Sequence, residues 1–304
     1  MKQSTIDQIA MLKKQSNALI LAHNYQLPEI QDIADFVGDS LDLAMRATQT
    51  TSDVIVFCGV DFMAESAKIL NPEKTVILPD TEAQCPMAAM VDVESLAALK
   101  QEHQGAPVVS YINTSAAVKA LSDICCTSSN GAKVVKSLDA EKIIFTPDSN
   151  LGNYIQRLVP EKSLVIFPGI CPTHHKITTE QILSLKQDHP QAEILVHPEC
   201  RLEVIDIADH AFSTNGMVNY VKTSPCKEFI IGTEKDLCYR LQKENPTKRF
   251  YPLETAVCPN MKKVTLEKVL NSLKTLEPNI TLSSDMVKRA KVPLQRMMNV
   301  GRGD

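Results

Sequence analysis

The chain has 304 residues, 44% hydrophobic and 22% charged, with a formal net charge of -4 and both signs interspersed. No basic stripe points to nucleic acid, and the longest apolar stretches are strand-length, far short of a membrane span. Nine cysteines without a dense framework predict a reducing compartment. Polar residues alternate around Ile6, Ile9 and Met11 rather than leaving a signal-peptide core, so the expectation is a cytoplasmic protein without membrane or nucleic-acid partners.

Along the chain the pattern recurs three times. Helix-then-strand stretches begin at Ile6, Val93 and Thr179, reading IDQIAMLKKQSNALILAHN, VESLAALKQEHQGAPVVSYIN and TEQILSLKQDHPQAEILVHPE. After the first, Pro28 predicts a helix start, with Ile30, Ile33, Ala34 and Val37 at helical spacing. Gly38-Asp39-Ser40 interrupts it, and Leu41, Ala44 and Met45 begin a second helical face. The corresponding segments are DFVGDS, DICCTS and DHAFST, and DIAD occurs at both 32–35 and 206–209. The next strands end in CGVDFMA, TPDSNLG and IGTEKDL. A fourth partial copy, VTLEKVLNSLK from Val264, predicts a closing helix after the third unit.

Such triplication defines three small units, each alternating helix and strand four times. Near-continuous apolar strands predict parallel sheets with helices on both faces. The expected fold class is therefore α/β: three homologous three-layer αβα sandwich units around a pseudo-threefold axis. The divisions fall at 1–86 (closed by segment 260–304), 87–172 and 173–259. Ligands in such folds collect beyond the carboxyl ends of the strands.

Each unit also ends on a cysteine followed by proline: Cys85-Pro86, Cys171-Pro172 and Cys258-Pro259, spaced by 86 and 87 residues. One thiol at the same place in each unit predicts three ligands converging on a metal centre. Zinc usually takes CxxC pairs and four ligands. Three soft thiolates without an evident fourth suit a [4Fe–4S] cluster with one iron open to act as a Lewis acid. Cys58, Cys125, Cys126, Cys226 and Cys238 lack repeat partners and read as small core residues, with Cys200 set apart by its polar neighbours.

The remaining polar residues fall at matching strand ends. His23-Asn24-Tyr25, Tyr111-Ile112-Asn113 and His197-Pro198-Glu199 offer groups able to move protons. His174-His175 follows the second ligand cysteine closely. Ser40, Ser128 and the pair Ser213-Thr214 recur where a strand gives way to a helix, which predicts helix caps aimed at carboxylate or phosphate groups. Neither GxGxxG nor a P-loop occurs in a strand–helix turn, so a nucleotide site has no support.

Taken together, LAHNYQLPEIQDIADFVGDSL from Leu21, GVDFMAE from Gly59, VHPEC from Val196 and AVCPNMK from Ala256 resemble the quinolinate synthase family nearly end to end. The resemblance implies condensation of iminoaspartate with dihydroxyacetone phosphate to quinolinate, phosphate and water in NAD biosynthesis. It also implies one [4Fe–4S] cluster on Cys85, Cys171 and Cys258, at the junction of three α/β sandwiches. The implied catalytic residues are His23, Tyr25, Tyr111, His197 and Glu199. The implied substrate-binding residues add Ser40, Asn113, Ser128, His174, Ser213 and Thr214. Iminoaspartate handed over by an aspartate-oxidising enzyme is the implied partner relationship. Ile170 and His175 depart from the GHC-x-x-HQ pattern of many relatives, and no cysteine triplet surrounds Cys258. From the residues alone, another iron–sulfur hydro-lyase or a non-catalytic iron–sulfur sensor remain as alternatives.

Overall fold

The structure is a computed structural model and describes residues 2–304. In the first unit α1 (Lys2–Gln15), β1 (Ala18–His23), α2 (Pro28–Ile33) and β2 (Phe36–Gly38) are followed by α3 (Ser40–Gln49), β3 (Val54–Cys58), α4 (Asp61–Leu70) and β4 (Thr75–Ile77). The second contains α5 (Val93–Glu102), β5 (Val108–Tyr111), α6 (Ala116–Lys119), β6 (Ile124–Cys126), α7 (Gly131–Lys136), β7 (Lys142–Thr146), α8 (Ser149–Leu158) and β8 (Ser163–Ile166). In the third, a single turn α9 (Pro172–His175) precedes α10 (Thr179–Asp188) and β9 (Glu193–Val196). It continues through α11 (Leu202–Asp206), β10 (His210–Ala211), α12 (Thr214–Thr223), β11 (Glu228–Gly232), α13 (Leu237–Glu244) and β12 (Arg249–Pro252).

Each unit builds one four-stranded parallel sheet with the same order: β2-β1-β3-β4, β6-β5-β7-β8 and β10-β9-β11-β12. The order reverses between the first and third strand of every sheet, which is where a crevice opens at the carboxyl ends. All five residues of β3 are buried, as a strand covered on both faces must be.

The repeat is enforced by polar devices as well as by core packing. Asp35, Asp123 and Asp209 each accept the N–H of Ile20, Val108 or Ile194 at 2.8 Å, locking the second strand of a unit to its first. Lys74, Lys162 and Lys248 each donate to two carbonyls at or just past the end of α3, α7 and α12. The Asp35 lock explains one correction. α2 stops at Ile33, Ala34 is extended, and Val37 lies in β2 paired with Ala22 rather than on a helix.

Beyond the third unit, α14 (Leu266–Thr275) packs on α1 and β3, and α15 (Ser284–Val300) packs across α4, α6 and β6. Between them Leu78 and Val76 exchange backbone hydrogen bonds with Pro278 and Ile280, covering the free edge of β4. Among the described residues no helix is long and apolar enough to cross a membrane.

Candidate active site

The strand ends of all three units open on one cavity of about 220 Å³. Cys85, Cys171 and Cys258 line it, one from each unit, because each follows the fourth strand of its sheet. His23, Tyr25, Ser40, Tyr111, Asn113, Ser128, His174, His197, Glu199 and Thr214 line it too. Ser213 is absent from the wall: it is buried, and its hydroxyl meets Asp39, Arg302 and the N–H of Gly216. His175 also stands apart, its Nδ1 3.2 Å from the Asn150 amide.

Capping is distributed differently from the sequence expectation. Asp39 caps α3, leaving Ser40 as the first helical residue, and Asn130 occupies the cap position of α7 two residues beyond Ser128. Only Ser213 caps its helix, α12, as a hydroxyl residue. Asp39 accepts the N–H of Asp42, whereas Asn130 makes no side-chain capping bond and accepts the N–H of Thr127 instead, so neither cap uses the hydroxyl of Ser40 or Ser128.

At the centre lies Glu199, 3% exposed. Tyr111 donates its hydroxyl to Glu199 Oε1 at 2.5 Å, and His174 Nδ1 is 2.6 Å from Oε2. His174 Nε2 is 2.8 Å from Thr233 Oγ1 and 3.2 Å from the Tyr25 hydroxyl, itself 2.5 Å from Thr233. Burial opposes the charged carboxylate, but His174, His197 and the hydrogen bonds from His174 and Tyr111 outweigh it and hold Glu199 well below the usual range. Burial, with Glu199 adding to it, pushes the phenols of Tyr25 and Tyr111 up, so both stay protonated.

His23 and His197 share a local geometry. The N–H of Tyr25 donates to His23 Nδ1 at 3.2 Å, and that of Glu199 to His197 Nδ1 at 3.3 Å. Each Nδ1 is therefore an acceptor, and the ring hydrogen of the neutral imidazole sits on Nε2. Burial foremost lowers both to about 3, keeping them neutral at ordinary pH.

Burial also pushes the thiols of Cys85, Cys171 and Cys258 up, so thiolates there call for a neighbouring positive charge. A bound metal supplies one, and the soft donor set fits a thiophilic metal. Cys171, His174 and Glu199 present ligand atoms within 4.8 Å of one another. Yet His174 and Glu199 already satisfy each other, whereas the three thiols recur by symmetry of the units. All nine cysteines are free, and Cys58, Cys125, Cys126 and Cys200 are buried within the core.

Sequence reasoning missed Thr233, which joins Tyr25 to His174, and Lys176 on the cavity wall. It also missed Asp61, Asp148 and Glu234, which accept the backbone N–H of the three cavity cysteines. The signal for these acids was present, since one lies in each of CGVDFMA, TPDSNLG and IGTEKDL.

Three parallel αβα units closing on buried imidazoles and phenols and three partly buried cysteines define an α/β enzyme with its site at the junction of repeats. Residues 7–299 match the family described as Quinolinate synthetase A protein. The chain is 54% identical over 301 residues to quinolinate synthase of Thermodesulfovibrio yellowstonii, covering 99% of each chain. Over 296 residues it is 54% identical to quinolinate synthase of Methanosarcina barkeri, covering 97% of each. Identity to that of Geobacter metallireducens is 50% over 304 residues, 99% of this chain and 100% of the relative. The chain belongs to the quinolinate synthetase A protein family.

Proposed function

We propose that this enzyme condenses iminoaspartate with dihydroxyacetone phosphate to quinolinate, phosphate and water, with a [4Fe–4S] cluster on Cys85, Cys171 and Cys258. The observation that carries the reading is one thiol per unit around a cavity centred on Glu199. A single tetrahedral ion draws its ligands to within about 4 Å of each other. Thiols contributed by three separate units suit a multi-iron cluster, with one cysteine per iron. When bound, such a cluster supplies an open iron as Lewis acid for the loss of water.

The reaction forms one C–C and one C–N bond and releases phosphate and two waters. Proton transfer falls to His23, Tyr25, Tyr111, His197 and Glu199. Glu199 is the ionised acceptor, while the protonated phenols and the Nε2–H groups of His23 and His197 are donors. Ser40, Asn113, Ser128, His174 and Thr214 hold the carboxylates and phosphate, while Ser213, off the cavity wall, caps the helix that presents Thr214. The unpartnered Oδ1 of Asn113 supports a polar ligand beside it. Apolar walls from Val60, Phe62 and Met63 exclude water from the forming ring.

Supply of iminoaspartate by an aspartate-oxidising enzyme, a cytoplasmic location and the unit divisions 1–86, 87–172 and 173–259 belong to the same reading. Anaerobic purification with iron and sulfide analysis, followed by a two-substrate assay for quinolinate, tests it. Four irons per chain and quinolinate are expected; an iron-free protein, or a product retaining one substrate's carbon skeleton, would defeat it.

A further inference from the structure

We infer that Asp61, Asp148 and Glu234 are positioning residues for the three-thiol centre, each fixing the backbone amide of one ligand cysteine. The inference rests on the reading that these cysteines hold a cluster. Asp61 Oδ1 accepts the N–H of Cys85 at 3.0 Å and that of Phe62 at 2.8 Å. Asp148 receives Cys171 N–H on Oδ2 at 2.9 Å and Leu151 N–H on Oδ1 at 2.7 Å. Glu234 takes Cys258 N–H on Oε1 at 3.4 Å and Asp236 N–H on Oε2 at 3.0 Å, with Lys262 2.7 Å from Oε1. The sequence separations are 24, 23 and 24 residues.

Every unit therefore ties the loop after its third strand to its Cys-Pro loop through one carboxylate. Helix capping alone does not account for this. A cap needs a single oxygen, and Asp148 uses its other one on the cysteine. Asp148 and Glu234 are fully buried, where a carboxylate is costly unless hydrogen-bonded. Retaining an acid at the same place in three units points to the centre they surround.

Two consequences follow for a cluster. The Cys-Pro loops are held before metal arrives, so metal retention depends on the carboxylates. Each carboxyl group also withholds a cysteine N–H from sulfur, and loss of such a hydrogen bond to sulfur disfavours an added electron.

The test uses anaerobically assembled full-length enzyme carrying Asp61→Ala, Asp148→Asn or Glu234→Gln. At Asp148 and Glu234 the two N–H groups use different oxygens, so an amide, with one acceptor, cannot receive both; at Asp61 both use Oδ1, so there the carboxyl is removed altogether. Iron should be lost to a chelator about 10-fold faster or more, and the midpoint potential should move positive. Asp123→Asn is the control, because its carboxylate holds Val108 N–H in the same way but meets no cysteine. It should lower the melting temperature and leave both cluster readings unchanged. Folded variants at all three positions with wild-type iron retention and potential would overturn the inference, as would equal iron loss in Asp123→Asn. Should Asp148→Asn not fold, Asp61→Ala decides, since Asp61 is only partly buried. Wild-type enzyme lacking iron and sulfide would instead sink the cluster reading itself.

Discussion

Arg302 Nη1 lies 2.8 Å from Asp39 Oδ2, joining the segment after α15 to a residue of the cavity wall. The same guanidinium reaches Asp42 at 3.2 Å, Ser213 Oγ at 3.0 Å and Asp304 at 2.9 Å. Asn130 and Lys133 hold the carbonyls of Gly301 and Val300 from the second unit. All three units thus meet on five residues. Gly303 permits the approach, since a Cβ there would come within 2.6 Å of the Ser129 carbonyl oxygen.

Arg302→Ala leaves Asp39 buried beside Asp42 without its counter-charge. A loss of roughly 2 kcal/mol is expected from charge-assisted hydrogen bonds of this kind. Arg302→Lys should recover only part, because one ammonium cannot fork between Asp39 and Ser213. Urea denaturation of the metal-free protein reads the difference; wild-type stability in Arg302→Ala would show the bridge to be idle.

Glu199→Gln, His197→Ala and Tyr25→Phe should each keep the iron while turnover falls roughly 10²-fold or more. Tyr111→Phe should follow, because Glu199 loses a 2.5 Å donor. Near-normal turnover in all four at saturating substrates would remove them from the mechanism. Iron loss in one would mark that residue as structural.

Replacing Cys85, Cys171 or Cys258 by alanine should abolish the cluster and activity. Replacing Cys58, Cys125, Cys126, Cys226 or Cys238 should cost only packing, with iron near four per chain. Cys200 joins this second group, since its thiol is buried and directed to the Gly232 carbonyl at 3.5 Å. Full iron, sulfide and quinolinate formation without any one of the first three would refute the ligand assignment.

Acid should destabilise the metal-free protein. His23 and His197 titrate near 3 when folded and near 6.5 when unfolded, so the unfolded chain binds more protons between those values. Their stabilisation is complete above pH 6.5 and declines by about 1.4 kcal/mol per pH unit for each histidine as pH falls toward 3. Glu199, held low when folded, adds loss below its ordinary range near 4.5. Melting temperatures between pH 7.5 and 4.5 should fall, and His197→Asn should flatten the slope. A pH-independent melting curve would contradict buried neutral rings.

Triplication, the αβα units and the three Cys-Pro thiols were legible in the chain alone, because each copy must satisfy the same local rules of strand burial and helix packing. DIAD is an instance: Asp35 and Asp209 recur because each locks one strand to its neighbour. The helical reading of Val37 failed because spacing cannot see that a hydrogen bond from Ile20 to Asp35 ends the turn and starts β2. Likewise, the strand-to-helix position of Ser40 and Ser128 suggests caps, yet Asp39 and Asn130 hold those positions. Which side chains finally touch could be decided only by assembling the units. Tyr111 meets Glu199, Tyr25 meets Thr233, and Asn24 meets Thr214 across separations of 88, 208 and 190 residues. Local periodicity carries no information about such pairs, since their energy exists only once the units close on one another and exclude water.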